Sequence, residues 1–344
     1  DLGIIFHRAM ELFSRRLQNT GQEWTQIPLQ DQQRLMDQCV DEISQEYGAG
    51  VLHTDAREEY RINRIKRILG RTVWVLHQQL LAGSFRPEGF EVSFSDAGDL
   101  EAVHVKIGKN GSLHLQGRID RIDTAQTDDA IYVKVVDYKS GITKFDPVSL
   151  YYGLQLQLVV YLNAALEMER RLHPDKKVIP AGIFYYHLDD PILEKEVGSS
   201  REVAQEKLLK KLRPDGVLNG DETVLRLLDQ TMQGDSLVIP AGLKKDGTLK
   251  ATSSAVSEEQ LEQLSGFVSH TIKKMAGEIL NGVVAAEPFE DRSGSACDYC
   301  DYADVCGFDK RIPEKCQKRR AMLTKDEAWA RIAQEEEARR NTGQ

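Results

Sequence analysis

The spacing of apolar residues predicts a helical first region, residues 1–87. In LGIIFHRAMELFSRRL, apolar residues recur every three to four positions, which is the period of one helix face. The same spacing predicts a second helix over LQDQQRLMDQCVDEISQEY and a longer third helix from Asp55 to about Leu81. Gly83 and Pro87 then close this helical region.

Residues 88–190 have the pattern of strands. Short segments rich in Val and Ile alternate with turn residues, which predicts an antiparallel meander of roughly four strands: FEVSF, AVHVKI, LHLQGRIDRI and IYVKVVDYK. Asp146 and Pro147 then open a helix over about 148–171, and VIPAGIFYYHL supplies a further strand. This succession predicts an α/β core, a central mixed sheet with helices on both sides.

The rest of the chain is less regular. Residues 191–256 are interpreted as an insertion, in which PAGLKKDGTLKATSS forms a loop with a hairpin. Residues 257–310 hold an amphipathic helix, with Ser257 at the start of a capping box, and then a cysteine cluster. Residues 311–344 are predicted to be a charged tail, a helix that is exposed or frayed. We therefore expect one domain over residues 1–310, followed by this tail.

Composition and charge limit the possible functions. The 344 residues, 41% hydrophobic and 29% charged, can form one large or two moderate globular domains. A net charge of −9 argues against a protein that coats nucleic acid through bulk charge, but it is compatible with a nucleic-acid enzyme that has local basic patches. Such patches occur at 61–71, 210–213 and 318–320, and each of them also fits a solvated helix face.

The cysteines indicate a metal or cluster site. There are five of them, and four fall within a window of 20 residues: Cys297, Cys300, Cys306 and Cys316. An odd, clustered set in a chain without an export signal does not resemble a secreted disulfide framework, so we expect a cytoplasmic protein. The remaining Cys39 lies in a predicted helix and is interpreted as a small buried hydrophobe. The missing initiator Met suggests a piece of a longer protein.

Two carboxylates and a lysine converge on one predicted hairpin. If LHLQGRIDRID and IYVKVVDYKSG are its strands around TAQTDDA, then Asp120 lies opposite Val135 and Asp137 is its diagonal neighbour on the same face. Lys139 shares that face, because side chains alternate along a strand. Two such carboxylates suit Mg²⁺ or Mn²⁺ in phosphodiester hydrolysis, and the lysine can orient the attacking water. The alternative, which is the commoner explanation of an isolated D-x-K, is an ion pair at a strand end.

The order of short motifs resembles the RecB-type nuclease family, which has a restriction-endonuclease-like core. The motifs are G-x-x-x-H at 3–7, GRIDRID, VVDYKSG, QLVVY and C-x-x-C-x-x-x-x-x-C. The cysteines narrow the resemblance to members with an iron–sulfur cluster, and the PAGLKKDGTLKATSS segment makes the chain most similar to AddB-type nuclease domains of helicase–nucleases. Free-standing CRISPR-associated RecB-like exonucleases are the alternative within the family. The resemblance spans roughly residues 1–310.

The resemblance implies a role for each matching residue of the active site. His7, Asp120 and Asp137 would bind the metal, with the backbone carbonyl of Tyr138 as a further ligand. Lys139 would position or activate the attacking water.

The resemblance also extends to residues outside this core. Gln157 and Tyr161 match a supporting pair near the DNA and the lysine, and Gln155 lies in the same segment. The cysteines that match the ligands of a [4Fe–4S] cluster are Cys297, Cys300 and Cys306. The family's fourth ligand lies just upstream of G-x-x-x-H, where this chain begins, so an incomplete cluster is expected here. Cys316 could complete a four-cysteine set instead, which would favour zinc.

Two classes of function therefore stay open. The resemblance implies a Mg²⁺-dependent deoxyribonuclease, which would cut the 5′-ended strand delivered by an AddA-like helicase partner in double-strand-break processing and recombination. The other class is a non-catalytic nucleic-acid-binding module that keeps the fold and uses the cysteines as a zinc or cluster scaffold. Misplacement of any of the four residues His7, Asp120, Asp137 and Lys139 would favour the second class.

Overall fold

The three predicted N-terminal helices are present. A computed structural model describes residues 2–46, 56–94, 103–107, 111–193, 200–290, 294–309, 311–312, 319–320 and 323–342. The helices are α1 (Leu2–Asn19), α2 (Leu29–Glu46) and α3 (Ala56–Ala82). The predicted apolar stripe of α1 is inside, and Ala9 and Phe13 are fully buried. Burial of a side chain such as Phe13 contributes about 1.5–3 kcal/mol.

A mixed sheet forms the centre of the fold. In chain order the strands are β1 (Arg86–Phe94), β2 (Val103–Ile107), β3 (Gly111–Leu115), β4 (Gly117–Gln126), β5 (Ala130–Lys139), β6 (Lys177–His187), β7 (Asp215–Asn219), β8 (Ala255–Val256), β9 (Phe289–Glu290) and β10 (Arg319–Arg320). Within the described residues the central sheet has six strands in the order β1-β4-β5-β6-β7-β8. The pairs β5–β6 and β7–β8 are parallel and the others antiparallel, which confirms the predicted mixed sheet.

The predicted four-strand meander is wrong. β1 pairs with β4, whereas β2 and β3 form a separate antiparallel hairpin. The predicted strand LHLQGRIDRI is two strands, because pairing stops at Gln116 and begins again at Gly117. Gly117 pairs with Phe94, and a β-carbon on this glycine would lie 2.5 Å from the phenyl ring. Alternation identifies strands but cannot show that a hairpin is inserted between two partners.

The register of the β4–β5 hairpin differs from the prediction by two residues. Arg121 pairs with Val136, and the same register carried one residue further sets Asp120 opposite Asp137 rather than Val135. Because side chains alternate with a period of two, a two-residue shift leaves both carboxylates on the same face. The two carboxylates are therefore direct cross-strand neighbours instead of diagonal ones.

The helix predicted over 148–171 is interrupted. It consists of α4 (Pro147–Tyr151) and α5 (Gln157–Leu172). The connection between them contains Gly153 at φ +83° and Gln155 at φ +52°. Both values lie in the left-handed region, where a right-handed helix cannot continue. The apolar period passes through the break, so the sequence pattern alone did not reveal it.

Helices flank the sheet. Val136 and Tyr138 of β5 share one hydrophobic core with the buried faces of α1, α2 and α3. Tyr161 of α5 packs edge to face on Phe94 of β1, with ring centroids 5.8 Å apart, outside that core. The first helix thereby reaches the strands that carry the carboxylates.

The predicted insertion, residues 191–256, contains more regular structure than expected. Besides β7 and β8 it holds α6 (Arg201–Lys211) and α7 (Glu222–Leu228). In α6 only Leu209 is buried, so the helix has no apolar face by which it could be predicted. The PAGLKKDGTLKATSS segment is a loop closed by isolated β-bridges, close to the predicted loop with a hairpin.

The chain divides into two compact units. The first contains residues 1–101, 117–145 and 161–258, and the second contains residues 102–116, 146–160 and 259–344. All six strands of the central sheet and α1–α3 belong to the first unit. No helix in the described stretches is both long enough and apolar enough to cross a membrane.

The second unit contains α8 (Glu258–Leu280), α9 (Ala303–Cys306) and α10 (Lys325–Thr342). The α10 helix packs against α4: the Tyr151 hydroxyl donates to Glu335 Oε1 at 3.0 Å, and Ile332 is fully buried. The expectation of an exposed or frayed tail is therefore wrong for the inner face of this helix. Apolar residues such as Ile332 and the half-buried Glu335 carry the contact.

Candidate active site

Three potential metal ligands from three different elements meet in the first unit. They are His7 of α1, Glu91 of β1 and Asp120 of β4, whose ligand atoms all lie within 4.8 Å of one another. His7 Nδ1 is 3.2 Å from Glu91 Oε1 and 3.3 Å from Asp120 Oδ1. No other group of three His, Cys, Asp or Glu side chains has this spacing in the part of the chain that the structure describes.

Glu91 is the member of this group that the sequence analysis missed. Its φ of +48° lies in the left-handed region, which side chains rarely adopt and which is often found at functional positions. Its two chain neighbours pair with residues 119 and 121, so Glu91 lies opposite Asp120. The available signal was a single carboxylate inside the apolar segment FEVSF, because a buried charge needs a partner.

Asp137 and Lys139 lie at the end of β5, on the face that Asp120 shares. Lys139 Nζ is 2.6 Å from Asp137 Oδ2 and 5.6 Å from the centre of the Tyr185 ring. The side chain of Lys139 is 28% exposed, whereas that of Asp137 is 3% exposed. The D-x-K motif is thus an ion pair, and this ion pair presents an ammonium to solvent beside a buried carboxylate.

Tyr138 connects the two carboxylates through its backbone. Its N–H donates to Asp120 Oδ2 at 2.7 Å, which fixes the orientation of that carboxylate. Its side chain points into the core, and its ring contacts the His7 ring edge to face, with centroids 6.2 Å apart. At the end of β5, Tyr138 therefore contacts Asp120 through its backbone and the hydrophobic core through its side chain.

The candidate site contains more carboxylates than cationic groups, and the pKa values of His7 and Asp137 are shifted. Hydrogen bonds to Asp120 and then to Glu91 raise the pKa of His7 to about 10, so the imidazole is protonated at neutral pH. Burial, and then the charge of Asp120, raise the pKa of Asp137 to about 6, against the opposing effect of Lys139. Neighbouring carboxylates contribute to both shifts, although burial is the larger cause for Asp137.

These residues fit a divalent cation. Apart from Lys139, no described residue hydrogen-bonds to the buried Asp137 Oδ2. Carboxylate oxygens are the ligands that Mg²⁺ and Mn²⁺ prefer, and one imidazole is compatible with the set. A bound cation would supply the positive charge that the proton on His7 supplies in its absence.

The three residues of the segment predicted to support the lysine and the DNA lie in different places. Tyr161 is 7% exposed and belongs to the first unit. Gln157 is the first residue of α5 and belongs to the second unit. The side chain of Gln155 turns back and accepts a hydrogen bond from the backbone N–H of Asp146 at 3.2 Å. Gln155 therefore closes the connection between two helices.

The three predicted cluster cysteines lie on short helical pieces of the second unit. Cys297 is in a 3₁₀ turn at 296–299, Cys300 follows it, and Cys306 ends α9. All three are free thiols, and Cys300 and Cys306 are exposed. Their sulfur atoms are not gathered within 4.8 Å of one another, the spacing that the three ligands of the carboxylate site show. The described residues thus provide three thiols that are not close together, whereas a cluster needs four thiolate ligands.

The other two cysteines have different outcomes. Cys39 is buried in α2, as predicted, and burial raises the pKa of its thiol to about 11. Cys316, the predicted alternative zinc ligand, lies outside the described residues.

The basic stretch 61–71 of α3 is largely paired. Four of its five cations contact acidic side chains: Arg61 with Glu58, Lys66 with Asp41, and Arg67 and Arg71 with Asp190. This favours a solvated, paired helix face over a patch for nucleic acid. The basic side chains at 318–320 lie outside the described part of the chain.

The fold and the D-x-K site agree with a comparison against known families. The family model of the PD-(D/E)XK nuclease superfamily matches residues 1–307. Since the match covers most of the chain, the chain belongs to the PD-(D/E)XK nuclease superfamily.

Similar proteins narrow the relationship. A protein of Lachnoclostridium phytofermentans, named as the B subunit of an ATP-dependent helicase/deoxyribonuclease, is 38% identical over an alignment 346 positions long, which covers 98% of this chain and 29% of the relative. Relatives of the same name in Alkaliphilus metalliredigens and Clostridium botulinum strain Langeland are 34% and 36% identical, over 97% and 91% of this chain and 29% and 27% of their own lengths. The predicted resemblance to AddB-type proteins is confirmed, and the chain spans less than a third of these relatives.

Proposed function

We propose that this chain is a metal-dependent deoxyribonuclease that hydrolyses phosphodiester bonds. The observation that carries the proposal is the meeting of His7, Glu91 and Asp120 beside the Asp137–Lys139 pair. Phosphodiester hydrolysis requires a cation site and a positive group for the phosphate, and these side chains can provide both. Membership of the nuclease superfamily supports this reaction class.

The proposed metal ligands are His7, Asp120, Asp137 and the backbone carbonyl of Tyr138, and we add Glu91 because of its contact with His7. When bound, Mg²⁺ or Mn²⁺ would polarise a phosphoryl oxygen and lower the pKa of a coordinated water. The chain itself contributes rigid placement. Strand pairing holds the two aspartates, and the Tyr138 N–H holds Asp120.

Lys139 is the proposed catalytic residue that orients the attacking water and stabilises charge on the phosphate. Asp137 holds its ammonium at 2.6 Å, and its partial exposure leaves it within reach of a substrate in solvent. In the reaction the water oxygen bonds to phosphorus, the bridging P–O bond breaks, and the leaving oxygen takes up a proton. An ammonium beside the phosphate stabilises the charge that builds up on the way.

Gln157 and Tyr161 are proposed to support Lys139 and the DNA, on the basis of the family motif that they match. The buried ring of Tyr161 lies against Phe94 at the end of β1.

The substrate and the partner are inferred from the relatives. Each of these relatives is named as one component of an ATP-dependent helicase/deoxyribonuclease. We propose that this chain acts with an AddA-like helicase partner in the cytoplasm. Its substrate would be the 5′-ended strand of unwound DNA, degraded exonucleolytically during double-strand-break processing and recombination repair.

The cysteines are proposed as three of the four ligands of a [4Fe–4S] cluster in a protein as long as the relatives. They are Cys297, Cys300 and Cys306, and the fourth ligand would come from outside the described residues. Iron and sulfide analysis of a protein as long as the relatives tests this point, and absence of both after anaerobic purification would contradict it.

The test of the proposed reaction uses 5′-labelled single-stranded DNA with the purified chain in Mg²⁺, Mn²⁺ or EDTA. Asp137→Ala removes a proposed ligand, and Asp246→Ala removes an exposed carboxylate in the loop of the insertion as a matched control. We expect cutting that needs the metal, is lost in Asp137→Ala and is kept in Asp246→Ala. A 3′-labelled companion reports the polarity.

The opposite result would be absence of cutting in every metal, both for this chain and for a protein as long as the relatives. DNA binding without cutting in both cases would favour the non-catalytic binding module.

A further inference from the structure

Three charged side chains lie together on the face of the β4–β5 hairpin opposite the two aspartates: two of them are buried, and the side chain of the third, Lys134, is 12% exposed. Arg121 is 1% exposed and Asp123 is 0% exposed. Arg121 Nε and Nη2 donate to the two carboxylate oxygens of Asp123 at 2.5 and 2.8 Å, and Lys134 Nζ lies 3.1 Å from Asp123 Oδ2. We call Arg121, Asp123 and Lys134 the buried triad.

Stability alone is a poor explanation for the buried triad. Moving charged groups out of water costs several kcal/mol per ion, and apolar replacements of buried ion pairs are often neutral or stabilising. Two cations also share one carboxylate, so the triad carries one excess positive charge. We therefore ask whether the triad fixes the positions of neighbouring side chains.

Arg121 makes two further contacts that point to such a role. Its guanidinium lies 5.3 Å from the centre of the Trp24 ring, and its Nη1 lies 3.5 Å from the Tyr138 hydroxyl, a long hydrogen bond. Because Asp123 holds the fork in a bidentate pair, the guanidinium has one fixed orientation. The hydroxyl of Tyr138 therefore lies beside a planar group whose orientation is fixed.

Tyr138 connects the guanidinium of Arg121 with the candidate site on the other face of the strand. It stands between Asp137 and Lys139 in the chain, its N–H donates to Asp120 Oδ2, and its ring contacts the His7 ring. A rotation or shift of Tyr138 would therefore move several groups of the candidate site together.

We infer that Arg121 is a positioning residue for the metal site: Asp123 orients its guanidinium, the guanidinium fixes Tyr138, and Tyr138 fixes the proposed ligands beside it. The inference rests on the proposed function. It adds to the candidate site a buried residue, Arg121, that supports the metal ligands without contacting the substrate. Groups that orient metal ligands typically change metal affinity or activity by about 10- to 100-fold when they are removed.

The test compares two variants that change the buried charge in the same way. Arg121→Met leaves the Asp123–Lys134 pair, and Lys134→Met leaves the Arg121–Asp123 pair, so each removes one cation of the triad and keeps one ion pair. Only Arg121→Met removes the contact with Tyr138. We expect Arg121→Met to weaken Mn²⁺ binding, measured by titration calorimetry, by about 10- to 100-fold. We expect Lys134→Met to bind Mn²⁺ within about 2-fold of the unchanged chain, since the ligands keep their support.

Cleavage kinetics provide a second readout. For Arg121→Met we expect a similar rise in the Mg²⁺ concentration at half-maximal rate and a lower kcat, with little change of KM for DNA. Arg121→Lys should show the same defect, because an ammonium cannot form the bidentate fork. Tyr138→Phe should weaken Mn²⁺ binding in the same direction but less, because it removes only the hydroxyl contact.

Two results would overturn the inference. One is equal loss of Mn²⁺ binding in Arg121→Met and Lys134→Met, which would show a general effect of buried charge. The other is unchanged Mn²⁺ binding in folded Arg121→Lys and Tyr138→Phe, and these milder variants decide the question if circular dichroism shows that Arg121→Met is unfolded. If the unchanged chain binds Mn²⁺ but cuts no DNA, the proposed nuclease activity fails, while the binding comparison still decides the role of Arg121.

Discussion

The carboxylate site and the cysteine segment, residues 297–306, are both rich in metal-binding side chains, but they are supported in different ways. The side chains of Asp120 and Asp137 are 8% and 3% exposed and belong to paired strands inside a core. The cysteine segment consists of a 3₁₀ turn and a four-residue helix, and neither has a buried residue.

This difference in support shows which potential metal ligands the fold holds close together without a bound metal. Strand pairing and the core below it hold the carboxylates close together despite their repulsion, and the pKa of Asp137 is raised first by burial and then by the charge of Asp120. The cysteines have no such support, so a cluster or ion would have to supply the free energy that gathers them. We therefore expect the nuclease chemistry of the chain to depend on the first region and to be largely independent of the second.

The largest expected effect comes from Asp120→Asn. The substitution keeps the size of the side chain but removes a charge from the proposed cation site, which is worth several kcal/mol, or at least about 10³-fold in cleavage rate. Single-turnover cleavage in Mg²⁺ measures the effect. Cys300→Ser is the comparison from the other region, and a loss of similar size there would remove the distinction between the two regions.

A smaller effect is expected for Glu91→Gln. Its carboxylate helps to hold His7, so its neutralisation should raise the Mg²⁺ concentration at half-maximal rate by about 10- to 100-fold. The measurement is a Mg²⁺ titration of the cleavage rate, with Glu88→Gln in the same strand as control. Equal Mg²⁺ requirements for both variants would show that Glu91 is no part of the cation site.

Metal binding should also stabilise the fold. Mn²⁺ at 100 times its Kd adds about 2.7 kcal/mol to the free energy of unfolding, and this raises Tm by roughly 4 °C for a chain of this size. Thermal denaturation with and without Mn²⁺ measures the shift. Asp120→Asn should abolish it and Cys300→Ser should retain it, so the reverse pattern would identify the cysteines as the main metal site of this chain.

The smallest effect on function is expected in the cysteine segment. Its exposed thiols should react quickly with a thiol reagent in the native chain, with little change in cleavage rate. Cys39 should react only on unfolding, because it is buried and its thiol pKa is raised to about 11. Mass spectrometry of labelled peptides distinguishes the sites. Slow labelling of Cys300 and Cys306 would show that the segment is already gathered around a ligand.

The sequence predicted those parts of the fold and site that depend on local periodicity. The three N-terminal helices follow a regular apolar stripe, and alternation along β4 and β5 placed Asp120 and Asp137 on one face even though the register was wrong by two residues. An error of one residue would have separated the carboxylates.

Other features depend on contacts between distant segments, which a local pattern does not contain. The β2–β3 hairpin inserted between two partner strands, and the break before α5, fall in this class. Glu91 was missed for the same reason, since its backbone conformation and its place opposite Asp120 follow from the pairing of β1 with β4.

The most direct test of the central claim is a crystal structure of this chain with Mn²⁺, using the anomalous signal of the metal. We predict an anomalous peak bound by Asp120, Asp137 and His7, close to Glu91 and to the Tyr138 carbonyl. A peak at saturating Mn²⁺ that lies only elsewhere, or its complete absence between these side chains, would contradict the account.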